Sequence, residues 1–239
     1  MSKIKAEFHI HTKYSKDSIL CTTFLYIMCK LRNIEVIAIT DHNEIAGAQR
    51  IKEKFQKKGI EVIVGEEILT KDGEIIGLYL TEKIQPNLSI EETINLIKKQ
   101  NGIVYLPHPY DEKRQKTVLI PQKQEENKNK IDLIEIHNGR NIVKEYSTKQ
   151  KEIQEKLNIR KVIGSDAHTF LEIGRNYIIM EKPNRNTLLK NIENGEFITK
   201  KCLKIAHFIT KFAKGIKLIR SGDINGLFGI IKKKCSRKK

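Results

Sequence analysis

The chain has 239 residues, 39% of them hydrophobic, with no Trp, and a formal net charge of +16. That length suits one α/β barrel or two small domains, and folding would bury roughly 70–75% of the unfolded surface. No apolar run reaches the ~20 residues that a membrane-spanning helix needs; the longest, 19–29, is broken by Thr22 and Thr23.

Period and composition predict alternating strands and helices. A strand is expected over 6–10, then a mainly apolar helix over 22–32. A second strand over 36–40 leads to a helix over 45–58, with Gly59 as its C-terminal stop. The third strand covers 60–64, and Asp72-Gly73 reads as a hairpin turn with a return strand over 73–80. Ser89, ahead of Glu91 and Glu92, caps a helix running to Gln100, and Asn101-Gly102 ends it. Strand four covers 103–106. Residues 111–130 are polar and rich in Lys, Gln and Glu, and read as a loop plus a short helix. Strand five covers 131–136, a helix 141–157, strand six 161–163 and strand seven 177–180. A closing helix is expected over 182–197, where Leu188, Leu189 and Ile192 share one face. From Lys201 onward, Leu203, Ile205, Ile209, Phe212, Ile216 and Ile219 trace an amphipathic basic stripe that would dock on the barrel, with 232–239 fraying beyond it.

Seven alternating units argue for a parallel sheet closed into a (β/α)7-like barrel, with an open doubly wound sheet as the alternative. No glycine-rich phosphate loop follows the first strand, which weakens a nucleotide-binding reading of that sheet. Charge is uneven: residues 201–239 hold twelve Lys/Arg and one acid, while 1–200 hold 33 basic and 28 acidic residues. The division expected is a barrel domain over 1–199 and a basic C-terminal extension over 200–239. Such an extension attracts polyanions, so nucleic acid is a candidate partner; a solvated tail is the alternative. Cys21, Cys29, Cys202 and Cys235 form no C-x-x-C pair, against a zinc ribbon or a dense disulfide framework. Met1-Ser2-Lys3-Ile4-Lys5 runs straight into a strand with no secretory apolar region, and a cytoplasmic location is expected.

Six of the seven histidines fall in short clusters, most of them ending apolar runs: Phe8-His9-Ile10-His11, Thr40-Asp41-His42-Asn43, Pro107-His108-Pro109, Glu135-Ile136-His137-Asn138 and Ser165-Asp166-Ala167-His168. A further run ends in Gly65-Glu66-Glu67. Imidazole and carboxylate are the ligands of borderline divalent metals, and strand ends converge at the mouth of a barrel. In a strand, residues i and i+2 share a face. His9 with His11, Glu135 with His137, and Asp166 with His168 therefore project as pairs. Of Asp41 and His42, His42 is expected to enter the site, with Asp41 behind it. One of Glu66 and Glu67 faces inward. The flanking prolines hold His108 on extended backbone. Asp17 lies on a loop that could fold over the site, and His207 stands outside the pattern. Nine or so candidates suffice for two or three ions, of Zn, Mn or Fe. Clustered ions suit phosphoester hydrolysis by activated water, and no Ser, Cys or Lys sits in a nucleophile motif. Arg140 and Arg175 follow two of the clusters and are placed to contact a substrate phosphate.

These clusters resemble the PHP (polymerase and histidinol phosphatase) family. The matching motifs are His9-Ile10-His11-Thr12 with Ser15 and Asp17, Ile39-Thr40-Asp41-His42-Asn43, Gly65-Glu66-Glu67-Ile68, His108-Pro109, Glu135-Ile136-His137-Asn138-Gly139 and Gly164-Ser165-Asp166-Ala167-His168. They run from Phe8 to His168 in family order. The resemblance implies a distorted (β/α)7, TIM-like barrel and a trinuclear, metal-dependent phosphoesterase site. It implies as ligands His9, His11, Asp17, His42, Glu67, His108, Asp166 and His168, with Glu67 as the bridging carboxylate and Glu66 as the alternative. His137 stands near a ligand position that varies in the family and is included. His9, His11, Glu67, Asp166 and His168 are the residues expected to carry catalysis. Asn33 stands where relatives often have glycine, and 111–130 occupies a region that in relatives holds substrate-binding insertions. The substrate expected is a phosphorylated small molecule or nucleotide. The other readings are a nuclease aided by the basic extension and a non-catalytic, nucleic-acid-binding accessory module.

Overall fold

The segment Val36-Ile37-Ala38-Ile39 shows how the sheet is built: all four residues are buried. Ile37 and Ile39 face a helix-side apolar cluster, while Val36 and Ala38 face a second cluster inside the sheet. A strand covered on both faces needs apolar residues at every position, which is why this run does not alternate with polar ones.

The computed structural model describes residues 3–112 and 121–220. Its elements, in chain order, are β1 (Lys3–Ile10), α1 (Thr22–Arg32), β2 (Val36–Ile39), α2 (Ala46–Gln56), β3 (Glu61–Thr70), β4 (Gly73–Leu78), α3 (Ile90–Lys99) and β5 (Ile103–Leu106). There follow α4 (Pro121–Asn127) with a single 3-10 turn (Lys128–Lys130), β6 (Leu133–Asn138), α5 (Lys144–Leu157), β7 (Arg160–Gly164), β8 (Tyr177–Glu181), α6 (Leu188–Glu193), β9 (Glu196–Ile198) and α7 (Lys204–Arg220). The strands form one sheet in the order β7-β6-β5-β4-β3-β2-β1-β8-β9. It curls into a nearly closed barrel. The chain leaving β7 meets β1 at the mouth, where Ser165 N donates to Phe8 O at 2.9 Å and His11 N donates to Ala167 O at 2.8 Å.

The distorted (β/α)7-type barrel expected from the motifs is present, with two corrections. The sheet is not all parallel. β3 and β4 form the hairpin anticipated at Asp72-Gly73, β4 also runs antiparallel to β5, and β8 pairs antiparallel with β1. A parallel partner for β1 would need a crossover; the segment between β7 and β8 holds no helix and returns directly. Nor is 182–197 a helix throughout. Asn184 Oδ1 accepts from Asn186 N and Thr187 N, which makes a turn, and only the short α6 precedes strand β9.

Local chemistry fixes the boundaries. Ser89 and Glu92 form a reciprocal capping box at α3. Asn33 ends α1 in the left-handed conformation (φ 55°) that glycine or asparagine adopts most readily. Helix α7 covers the expected basic stripe, but it docks on the barrel by its Ala206–His207–Thr210 side, and Ile205 and Phe212, expected to dock, are exposed; polar contacts to Arg140 rather than the apolar stripe set its rotation. The fraying expected over 232–239 lies outside the described residues. No helix among the described residues is long and apolar enough to cross a membrane.

Candidate metal centre

Strand β1 would not deliver both of its histidines by simple alternation. Phe8 faces the barrel interior and Ile10 the helix layer. A register shift between Glu7 and Ile10 interrupts the pairing with β2, and His9 sits at φ 64°. This irregularity turns His9 inward beside His11, with ring centroids 5.1 Å apart. Asp166 (φ 50°) is also at positive φ, and so is His108 (φ 26°), which the flanking prolines were expected to hold extended. Positive φ is uncommon for residues other than glycine, and such backbone strain concentrates at functional sites.

Glu67 is the hub. Its Oε1 lies 3.4 Å from His9 Nε2 and 3.1 Å from His108 Nε2, and its Oε2 lies 3.3 Å from His11 Nε2 and 2.9 Å from His42 Nδ1. Asp166 Oδ1 closes the group, 3.7 Å from His9 Nε2 and 3.4 Å from His11 Nε2. On the outer side, Asp17 spans His42 (3.6 Å) and His168 (3.4 Å). Eight of the nine expected ligands are thereby brought together. Glu66 is turned away: its Oε2 accepts from Ile84 N at 2.9 Å, and burial pushes its carboxyl up to about 7.

His137 does not join them. Leu133 and Ile136 both face the interior, and a register shift falls between Glu135 and His137. The extra residue defeats the i, i+2 rule, as a bulge does. Glu135 faces in, and His137 bonds Ser147 Oγ through Nδ1 at 3.0 Å. Glu135 takes up an orienting role, 3.0 Å from His9 Nδ1, accepting also from His108 N and from Tyr105 Oη. Asp41 likewise stands behind the ligands: it accepts from Thr12 N, Thr12 Oγ1 and Ser15 Oγ, and Ser15 Oγ accepts from His42 N.

One carboxylate was not foreseen. Glu74 on β4 is buried, with Oε1 3.5 Å from His42 Nδ1 and Oε2 3.9 Å from His108 Nε2. The signal lay in the hairpin register. Glu67 pairs with Ile76, so Glu74, two residues before Ile76, shares the face of Glu67.

The two arginines each have partners outside the cluster. Arg140 Nη2 donates to Thr210 Oγ1 at 2.8 Å, and Nη1 lies 3.6 Å from Glu172 Oε1. Arg175 Nη2 donates to Lys201 O at 2.9 Å. Both therefore tie the C-terminal segment to the rim. Glu172 in turn accepts from His168 N and Thr169 N, fixing the loop that carries His168.

The donor set fits divalent cations. Three groups hold ligand atoms within 4.8 Å of one another: His11 with His42 and His168, His9 with His11 and Glu67, and His42 with Glu67 and Glu74. Nε2 of His9 and of His11 are buried and make no hydrogen bond. Burial alone would strip protons from His9 and His42, yet the carboxylates outweigh it and hold both well above the usual imidazole range. His11, buried beside His168 and His42, is pushed down to about 3. Burial would protonate Glu67, but His42 and His9 keep it well below the carboxylate range. So many buried carboxylates demand positive charge, and a bound cation supplies it better than protons on imidazoles that are otherwise free to coordinate.

A nearly closed barrel with imidazoles and carboxylates gathered at its mouth defines the class, a barrel protein with a candidate metal-binding centre at the strand ends. The chain belongs to the PHP domain family, whose model matches residues 7–173. Two uncharacterized proteins of Methanocaldococcus jannaschii are similar in sequence. One is 46% identical over 117 residues, covering 45% of this chain and 68% of the relative. The other is 35% identical over 183 residues, covering 76% and 72%. In fold the chain is similar to PsfC from Pseudomonas syringae (TM-score 0.66, 14% identity, 90% and 98% covered). It is also similar to a candidate metal-dependent phosphoesterase from Bifidobacterium adolescentis (0.57, 15%, 68% and 87%). A third likeness is to an amidohydrolase from Chromobacterium violaceum with bound sulfate (0.57, 16%, 75% and 92%). At these identities the likeness is one of fold.

Proposed function

We propose that this protein is a phosphoesterase that hydrolyses a phosphomonoester or nucleotide in a site for two or three divalent ions, Zn, Mn or Fe. The observation that carries this reading is Glu67, a buried carboxylate with both oxygens shared among four imidazoles. A single ion needs three or four protein ligands; eight buried or half-buried donors around one bridging carboxylate suit more than one. In this reading His9, His11, Asp17, His42, Glu67, Glu74, His108, Asp166 and His168 would hold the ions between them. When bound, such ions supply Lewis acidity toward a phosphoester and activate water at neutral pH.

The remaining residues orient the ligands. Glu135 fixes the His9 ring, Asp41 and Ser15 fix the strand ends beneath His11 and His42, and Glu172 fixes the His168 loop. Arg175, half-buried where Arg140 is buried, is the guanidinium better able to leave its backbone partner for a substrate phosphate.

The test is elemental analysis of the purified protein followed by hydrolysis of an aryl phosphate before and after chelation. More than one equivalent of metal, with activity lost on stripping and restored by metal, is expected. Activity that survives complete stripping would overturn the reading.

A further inference from the structure

Eight large hydrophobic side chains are exposed among the described residues, and six of them lie on two helices that flank one segment of the rim. On α1 they are Phe24, Ile27 and Leu31; on α7 they are Ile205, Phe208 and Phe212. Each set has i, i+3, i+7 spacing, so each forms a continuous stripe on its helix. Phe24 stacks on Phe170 at 5.3 Å, two residues past His168. Helix α7 is held beside the same segment through Arg140, which pairs with Glu172. Leu31, Phe208 and Phe212 are 67–71% exposed. Scattered exposed apolar residues need no explanation, but a stripe on each of two helices anchored to the same rim segment does.

The stripes are set in positive charge. Lys204, Lys211 and Lys214 border the apolar residues of α7, and Lys30 and Arg32 lie near Leu31. The sequence repeats the pattern further on, where Leu227-Phe228-Gly229-Ile230-Ile231 is followed by Lys232-Lys233-Lys234. A helix with an apolar stripe, flanking lysines and a length short of a span is built to lie in a bilayer interface. We propose that this face, centred on α7, docks the protein on an anionic membrane surface.

Other occupants fit less well. A second copy would bring two segments of twelve basic residues and one acid together, and they would repel. Nucleic acid would meet the lysines and could stack on the exposed phenylalanines, but it would leave the aliphatic half of the stripes, Ile27, Leu31 and Ile205, uncovered. A bilayer meets both features, taking the apolar stripe into the acyl boundary and the lysines against its headgroups. The binding does not depend on the proposed hydrolysis.

The absence of native Trp makes the test direct. The full chain carrying Phe208→Trp has a single indole on the exposed stripe. With vesicles of phosphatidylcholine containing phosphatidylglycerol, co-sedimentation and a blue shift of the indole emission are expected, both weakening with salt. Vesicles of phosphatidylcholine alone should bind at least about tenfold less. The double variant Phe208→Asp/Phe212→Asp, altered only at exposed positions, should lose vesicle binding by about tenfold or more while keeping its thermal transition. No co-sedimentation with anionic vesicles at low salt would overturn the proposal. So would binding that the double variant leaves unchanged. Quenching of the indole by an oligonucleotide, without vesicle binding, would assign the face to nucleic acid instead, and a concentration-dependent dimer without vesicle binding would assign it to self-association.

Discussion

Glu135 Oε1 lies 3.0 Å from His9 Nδ1, and this contact decides which nitrogen of the ring faces the cluster. With Nδ1–H donated to the carboxylate, the Nε2 lone pair points toward Glu67 and Asp166. Partners of this kind orient a ligand and raise its basicity, and their loss lowers metal affinity by about 10–100-fold. Glu135→Gln, which keeps the shape and removes the charge, should show a loss of that order in competition titration against a chelator. Unchanged affinity would mean that His9 is held by packing alone.

Glu74 offers a sharper test of ligand number. Its carboxylate stands between His42 and His108, on the face it shares with Glu67. Glu74→Gln should purify with about one equivalent of metal fewer than the parent protein while keeping the others. Elemental analysis of both, prepared side by side, reads this directly.

His137 and His9 should behave oppositely. His9→Ala and Asp166→Ala should abolish turnover and lower the metal content. His137→Ala removes bonds that lie away from the cluster, to Ser147 and Asn176 among them, and its metal content and turnover should stay within about twofold of the parent. A metal loss in His137→Ala equal to that in His9→Ala would return His137 to the ligand set.

Burial pushes the Glu7 carboxyl up to about 8, a hydrogen bond from Gly174 N offsetting it only in part. Below the ordinary value of 4.5 both folded and unfolded chains carry the proton. Between 4.5 and about 8 the folded chain keeps a proton that the unfolded chain has released. Stability therefore falls as pH rises through that window, by at most ~1.4 kcal/mol per pH unit, and levels off above it. Glu7→Gln removes this contribution. The difference between urea midpoints measured near the two ends of the window should shrink in the variant; an identical difference would show that Glu7 is ionised in the fold.

The capping box at α3 predicts a purely structural effect. Ser89 Oγ accepts from Glu92 N at 3.2 Å, and Glu92 Oε2 accepts from Ser89 N at 2.9 Å. Ser89→Ala should cost about 1 kcal/mol, or ~2–4 °C in the thermal midpoint, with turnover unchanged.

Much of this was legible in the chain because it depends on near neighbours. The helix over 22–32 coincides with α1, Ser89 caps α3, and Asp72-Gly73 makes the β3–β4 turn, since caps and turns use side chains within a few residues. The clustering of His9, His11, His42, His108, Asp166 and His168 at strand ends needed only that strands share a direction and converge at a mouth. The direction of β8 was not legible, because it depends on the connection rather than on the strand's composition.

The sequence by itself determined which residue types could meet at the mouth, since apolar runs ending in His, Asp and Glu leave little else for strand ends to present. Only the tertiary structure decided which of them do meet. An irregularity in β1 turns His9 in, another in β6 turns His137 out, and the hairpin register adds Glu74. The same holds for Arg140, read as a substrate contact and found tied to Thr210 on α7 and to Glu172. The reason is physical: a strand's period of two sets the side of each residue only while the ladder is regular, and one inserted residue, dictated by pairing with a distant strand, reverses every side chain beyond it.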